Sequence, residues 1–308
     1  MNRYAAAAIA AAVSIGSCAA QGADAPLAVP FDFSHRAIAF DVMVKGQRLH
    51  MFLDTGVDPS VIDLSRADAL GLKVDRGAGG EASGEGDAKE SKVYPTTIDG
   101  LALGGRSFAP IDALAFDMAT ISAGYGSRLD GVLGYSFLRD KIVLIDYART
   151  TLGILDRPAD AWPAVRACRL RYTLPIKSFE GDQIPVIADF RLGAAHAPAS
   201  LDTGSNGGIS LFQGALDLPG VRGALAAHGE SVATGARGRT TTQVYVLNLP
   251  VGFGPFTLPA GQTVTLHKEA GSADTHLANI GNPLFAAMQL KMLLDYRARL
   301  MTFYGDCR

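Results

Sequence analysis

Short apolar runs broken by Gly, Pro, Asp and Asn recur along the whole chain, a pattern that predicts strands joined by tight turns rather than long helices. Residues 35–44 alternate in part and lead into Lys45-Gly46-Gln47, a turn; residues 48–53 return as a second strand, so Asp54 emerges at its end. Asp58-Pro59-Ser60 turns the chain, and residues 63–70 predict a short helix stopped by Gly71. Residues 76–91 are almost free of apolar side chains and admit two readings, a hairpin tip or a disordered solvated loop. Residues 93–117 predict strands parted at Asp99-Gly100 and Gly104-Gly105, followed by strands over 141–146 and 151–155. A Pro- and Ala-rich linker follows, with Trp162 expected as a packing residue at the junction. The second half predicts strands over 169–176, 184–192 (running toward Asp202), 240–249, 290–295 and 299–304, with a turn at Glu180-Gly181-Asp182.

The halves repeat. Asp54-Thr55-Gly56 and Asp202-Thr203-Gly204 each follow an apolar run and lie 148 residues apart (202 − 54). One such tripeptide is an ordinary turn; two at half-chain spacing ask whether the flanks repeat as well. At that shift Ile38, Phe40, Asp41, Val42 and Val44 stand against Val186, Ala188, Asp189, Phe190 and Leu192. Val132-Leu133-Gly134 then faces Asn279-Ile280-Gly281, and Leu144-Ile145-Asp146-Tyr147 faces Leu293-Leu294-Asp295-Tyr296. The order of elements is the same in both halves, which implies a duplicated lobe.

These motifs resemble the aspartic proteases of the pepsin and retroviral type, in which each half supplies one Asp-Thr/Ser-Gly and a later apolar-apolar-Gly segment packs behind it. The resemblance covers residues 31–304, nearly all of the chain after its leader, and is nearest to a single-chain bacterial form with two repeats. It implies an all-β fold of two homologous lobes with the active cleft between them and a pseudo-two-fold axis through Asp54 and Asp202. The lobes are expected at 31–157 and 169–308 with a linker at 158–168. It further implies an aspartic endopeptidase in which Asp54 and Asp202 activate a water. Thr55 and Thr203 would lock the two loops together across the interface, and Gly56 and Gly204 would let them approach. Gly134 and Gly281 form the loops behind the site. Ser205 is similar to the hydroxyl residue that bonds the adjacent Asp; Val57, its counterpart, offers none, so the two carboxylates are expected to differ, with Asp202 the more readily ionised. The family's flap would fall at 76–91, with a counterpart at 228–239, but the usual tyrosine near the flap tip is missing and Tyr94 is the nearest.

The chemistry itself asks for this pair. One carboxylate must be ionised to take a proton from water and the other protonated to donate to the carbonyl oxygen; two like charges in contact share one proton. No Ser or Cys nucleophile is needed. The bland reading makes both aspartates turn or capping residues. A third keeps the fold without activity, as a peptide-binding or envelope-scaffold protein. The six histidines, at 35, 50, 196, 228, 267 and 276, show no metal-ligand spacing, and no cofactor motif is found. Asp41 and Asp189 match across the repeat and are read as structural.

Composition changes the picture at three points. Net charge of −2 over 308 residues gives no reason to expect nucleic-acid binding. Residues 1–20, with Arg3 followed by an apolar stretch and small residues, form a targeting segment, and 21–30 a tether. Ile15-Gly16-Ser17-Cys18 resembles a lipoprotein box, in which Cys18 would be acylated and anchor the protein to the membrane; ordinary signal-peptidase cleavage near Ala20 is the other reading. Either makes the protein extracytoplasmic: periplasmic, anchored in the envelope, or secreted. Cys168 and Cys307 then remain as one pair, a disulfide or two buried thiols. The expected partner is a peptide or protein substrate, and, with both aspartates on one chain, a monomer is expected.

Overall fold

The computed structural model describes residues 27–88, 91–177, 184–267 and 277–308; the targeting segment with Cys18, most of the tether, the Glu180-Gly181-Asp182 turn and His276 lie outside them. Strands dominate, as the short alternating runs require, and helices are one or two turns long. Among the described residues no helix is long and apolar enough to cross a membrane.

Each half builds its sheet in the same way. In the first, Ala39–Val44 and Gln47–Leu53 form a hairpin, and Gly131–Leu133 runs parallel to the second of these, Leu133 beside Leu53. Ser60–Asp63 pairs with the far side of Gly131–Leu133 and with Ile111–Phe116. In the second half Ala278–Gly281 runs parallel to Ala199–Asp202, Ile280 beside Leu201, and Ile209–Phe212 pairs with its far side and with Gln262–His267. Both tripeptides therefore leave a central strand at the same point of the same topology, which is the structural form of the sequence repeat.

A third sheet of six strands joins the halves. At its centre Ile142–Asp146 pairs antiparallel with Lys291–Asp295, so each half contributes a central strand. Asp146 faces Lys291 in this register, and the two buried side chains form an ion pair. A buried Lys is tolerable only with such a partner, because desolvation of a lone ammonium would cost several kcal/mol. At the sheet's end Cys168 stands opposite Cys307 and the two are disulfide-bonded, the first of the two readings of the pair.

Two expectations need correction. Trp162 is 64% exposed and does not pack at the junction. There Ala161 and Val165, on the turns Pro158–Ala161 and Trp162–Val165, cover Ile142, Leu144, Leu155 and Leu293. The strand expected over 184–192 is broken into Val186–Ile187 and Arg191–Leu192, because Asp189 turns its carboxylate inward to accept from Tyr172 Oη (2.7 Å) and Gly254 N (2.9 Å). Of the two readings of 76–91, the described residues fit the hairpin: Gly80–Glu81 pairs with Lys92–Ile98. Their counterpart is longer, Leu225–Gly235 paired with Gly238–Leu247. Helix Leu64–Ala69 forms where expected, with Asp63 as its N-cap accepting from Arg66 N.

Candidate active site

Asp54 leaves the strand Gln47–Leu53 held by its own N–H, which donates to Leu133 O at 3.0 Å. Asp202 ends the strand Ala199–Asp202 beside Gly281. The two half-buried carboxylates are brought together beside Gly56, whose Cβ would lie 3.1 Å from Asp54 Oδ1 and 3.2 Å from Asp202 Oδ1.

The loops that carry them are locked by four reciprocal bonds. Thr55 N donates to Thr203 Oγ1 (3.0 Å) and Thr203 N to Thr55 Oγ1 (3.1 Å). Each hydroxyl then donates to the other half: Thr55 Oγ1 to Leu201 O (2.7 Å) and Thr203 Oγ1 to Leu53 O (3.0 Å). Both threonines are buried, at 1% and 0% exposure, so no water competes for these groups.

Space for a side chain at the third position is scant, far more so at Gly204 than at Gly56. A Cβ at Gly204 would lie 2.0 Å from Asp54 Oδ2, and one at Gly56 3.2 Å from Asp202 Oδ1. The loops behind the site press as closely: a Cβ at Gly134 would lie 2.4 Å from Val57 O, and one at Gly281 2.1 Å from Gly207 O. These close approaches allow Tyr135 N to donate to Val57 O (2.8 Å) and Asn282 N to Ser205 O (3.1 Å), bracing each tripeptide loop from behind.

The environments of the two carboxylates differ. Burial, and then the charge of Asp202, push Asp54 well above the ordinary carboxylate value; the N–H groups of Gly56 and Gly204 oppose the shift without reversing it. Gly56 N donates to Asp54 Oδ1 at 2.6 Å. Asp202 accepts more: Gly204 N (2.9 Å) and Ser205 N (3.0 Å) on Oδ1, and Asn279 Nδ2 (2.9 Å) on Oδ2. The role expected of the Ser205 hydroxyl is corrected here. Its backbone N–H, not its Oγ, reaches Asp202, while Oγ accepts from Gly207 N (3.3 Å) and closes the turn.

Two further residues were missed by sequence reasoning. Asn279 stands where the first half has Val132. Asn282, fully buried, donates to Thr203 O (2.7 Å) and Ser205 O (3.1 Å) and accepts from Tyr147 Oη (2.8 Å). Its counterpart Tyr135 cannot do the same, and Tyr296, the repeat of Tyr147, keeps a buried hydroxyl without a protein partner. The signal was available: two amides interrupt an otherwise apolar repeated element.

The two hairpins meet tip to tip. Ala88 N donates to Arg237 O (2.8 Å), Arg237 N to Glu85 O (2.8 Å), and Arg237 Nη2 to Ala88 O (3.0 Å). Ser91 Oγ donates to Ala236 O, and Ala236 packs against the cluster of Phe52, Phe116, Tyr125 and Val132. His267 Nδ1 lies 3.2 Å from Glu85 Oε2, a cross-half contact that the scattered histidines gave no hint of. Tyr94 is tied to its own hairpin, its ring filling the space beside Gly79. Asp41, bonded to His50 Nδ1 at 3.0 Å, and Asp189 make structural contacts. Among the described residues no group of three or more His, Cys, Asp or Glu is placed to hold a metal ion.

Residues 40–137 match the family model described as aspartyl protease. The matched stretch contains Asp54-Thr55-Gly56 and Gly134; the second tripeptide lies beyond it. No curated protein matches the chain. The first half is thus similar to aspartyl proteases in sequence, and the all-β architecture of the whole is of that kind.

Proposed function

We propose that this protein is an extracytoplasmic aspartic endopeptidase that hydrolyses peptide bonds with a water activated between Asp54 and Asp202. One observation carries the reading: two carboxylates, one from each repeat, are brought together on loops locked by the Thr55 and Thr203 bonds. Such a lock holds both groups to the fraction of an ångström that reaction needs.

In the proposed reaction Asp202, ionised, takes a proton from the water as its oxygen attacks the scissile carbonyl carbon. Asp54, protonated, donates to the carbonyl oxygen, giving a neutral gem-diol. As the C–N bond breaks, Asp202 passes its proton to the leaving amine and Asp54 recovers its own from a diol hydroxyl. The raised proton affinity of Asp54 suits the acid role. The hairpin tips joined at Glu85–Ala88 and Arg237 would close over an extended peptide, shielding it from bulk water. An oxidising compartment is supported by the Cys168–Cys307 bond. A single chain supplying both carboxylates supports a monomer, with the lobes divided at 158–168.

Cleavage of a diverse peptide mixture, read by mass spectrometry from acid to neutral pH, tests the reading against the Asp54→Asn and Asp202→Asn variants. Cleavage by the wild type and none by either variant is expected. A folded wild type that cuts nothing at any pH, or a variant that still cuts, overturns it.

A further inference from the structure

The repeat breaks at one residue that touches the reacting pair. Asn279 sits on Ala278–Gly281 beside Ser200 in the parallel ladder, where the first half places the apolar Val132 beside Phe52. Its Nδ2 donates to Asp202 Oδ2 at 2.9 Å, and its Oδ1 accepts from Ser200 Oγ at 2.5 Å. Ser200 is 3% exposed and its hydroxyl has two acceptors in reach, Asn279 Oδ1 and, at a longer 3.4 Å, Ala278 O; the shorter bond sets which end of the amide faces the carboxylate. Val132 can give Asp54 no equivalent donor.

We propose that Asn279, oriented by Ser200, is the positioning residue that makes Asp202 the ionised, proton-accepting member of the pair and leaves the shared proton on Asp54. The inference rests on the hydrolase reading above and deepens it. An amide N–H can only donate. A proton on Asp202 Oδ2 would point at that N–H and forfeit the bond, whereas the ionised carboxylate keeps it. With Gly204 N and Ser205 N on Oδ1, both oxygens of Asp202 face N–H donors. Asp54 faces Asp202, and Tyr296, whose ring meets that of Tyr135, feels the charge of Asp54. A lobe with Asn at this position and a lobe with Val thus assign base and acid without help from substrate.

The test compares wild type with Asn279→Val, which copies the first half, and with Ser200→Ala, which removes only the orienting hydroxyl. The acid limb of the kcat/KM profile should rise by about one to two pH units in Asn279→Val, the worth of one hydrogen bond to a charged group. Substrate KM should stay unchanged. Ser200→Ala should move the limb the same way by less. Asn279→Asp should restore activity at acid pH, where a protonated carboxyl can donate. A folded Asn279→Val that loses rate by one factor at every pH, its acid limb unmoved, overturns the proposal. Should Asn279→Val not fold, the limb in Ser200→Ala decides alone. Should the wild type cleave nothing, the hydrolase reading fails, and carbon-13 NMR titration of the aspartate carboxyls decides the pairing. An upward shift of the Asp202 transition in either variant supports it, and an unchanged transition overturns it.

Discussion

Thr203→Val deletes one hydroxyl at nearly constant volume, in the most enclosed part of the site. The hydroxyl accepts from Thr55 N at 3.0 Å and donates to Leu53 O at 3.0 Å. Its loss leaves one N–H and one C=O of the opposite half unpaired beside a side chain with 0% exposure. Each orphaned group costs about 1–3 kcal/mol, so the variant should be roughly 2–6 kcal/mol less stable, a large part of an ordinary domain's margin. For a chain of this size that lowers Tm by roughly 5–20 °C. The loops also lose their register, and displacement of a carboxylate by about 1 Å costs on the order of 100-fold in rate. Denaturant unfolding and peptide cleavage on the same preparation measure both effects. Thr203→Ser, which keeps the hydroxyl, should recover most of each. The Thr55→Val, Thr203→Val double variant should cost less than the sum of the singles, because water enters once either half of the lock opens. A Thr203→Val protein within about 0.5 kcal/mol of wild type would refute the claim that these bonds hold the halves in register.

Three further outcomes follow from the same geometry. Because burial and Asp202 raise Asp54 above the ordinary carboxylate value of 3.8, the folded state binds a proton that the unfolded state has released. That contribution is complete below pH 3.8 and is lost as pH rises through the raised value, so urea midpoints of the wild type should fall across that window and those of Asp54→Asn should fall less. Lys291→Met strands the Asp146 carboxylate in the central sheet and should cost about 3–5 kcal/mol, whereas a Lys291→Met, Asp146→Leu double variant should recover much of it, both read by chemical denaturation. His267→Ala removes the partner of Glu85, a partly exposed contact worth at most about 1 kcal/mol; amide exchange at Ala88 and Arg237 should quicken by a few-fold while the core strands stay protected.

Much of this was legible from local pattern. Strand positions follow from short alternating runs, and Asp54 and Asp202 stand out because a tripeptide recurs with its flanks. The Thr55 and Thr203 lock was implied by the resemblance rather than by anything in the residues alone. Trp162 misled because size and apolarity suggested packing, while the small Ala161 and Val165 fit the sheet better. The broken strand at Asp189 escaped because its cause is a hydrogen bond to Gly254, 65 residues away.

The chain's own order of residues determined the all-β class, the duplication and the two carboxylates, since these depend on periodicity and repetition along the chain. Only the tertiary structure decided how the repeats diverge. Asn279 meets Asp202 across 77 residues, and Arg237 meets Ala88 across 149. Such contacts depend on which strands lie side by side and in what register, and that is set by burying both halves together around one shared sheet. A local pattern can place a donor on a strand; only the packed sheet decides which carboxylate it reaches.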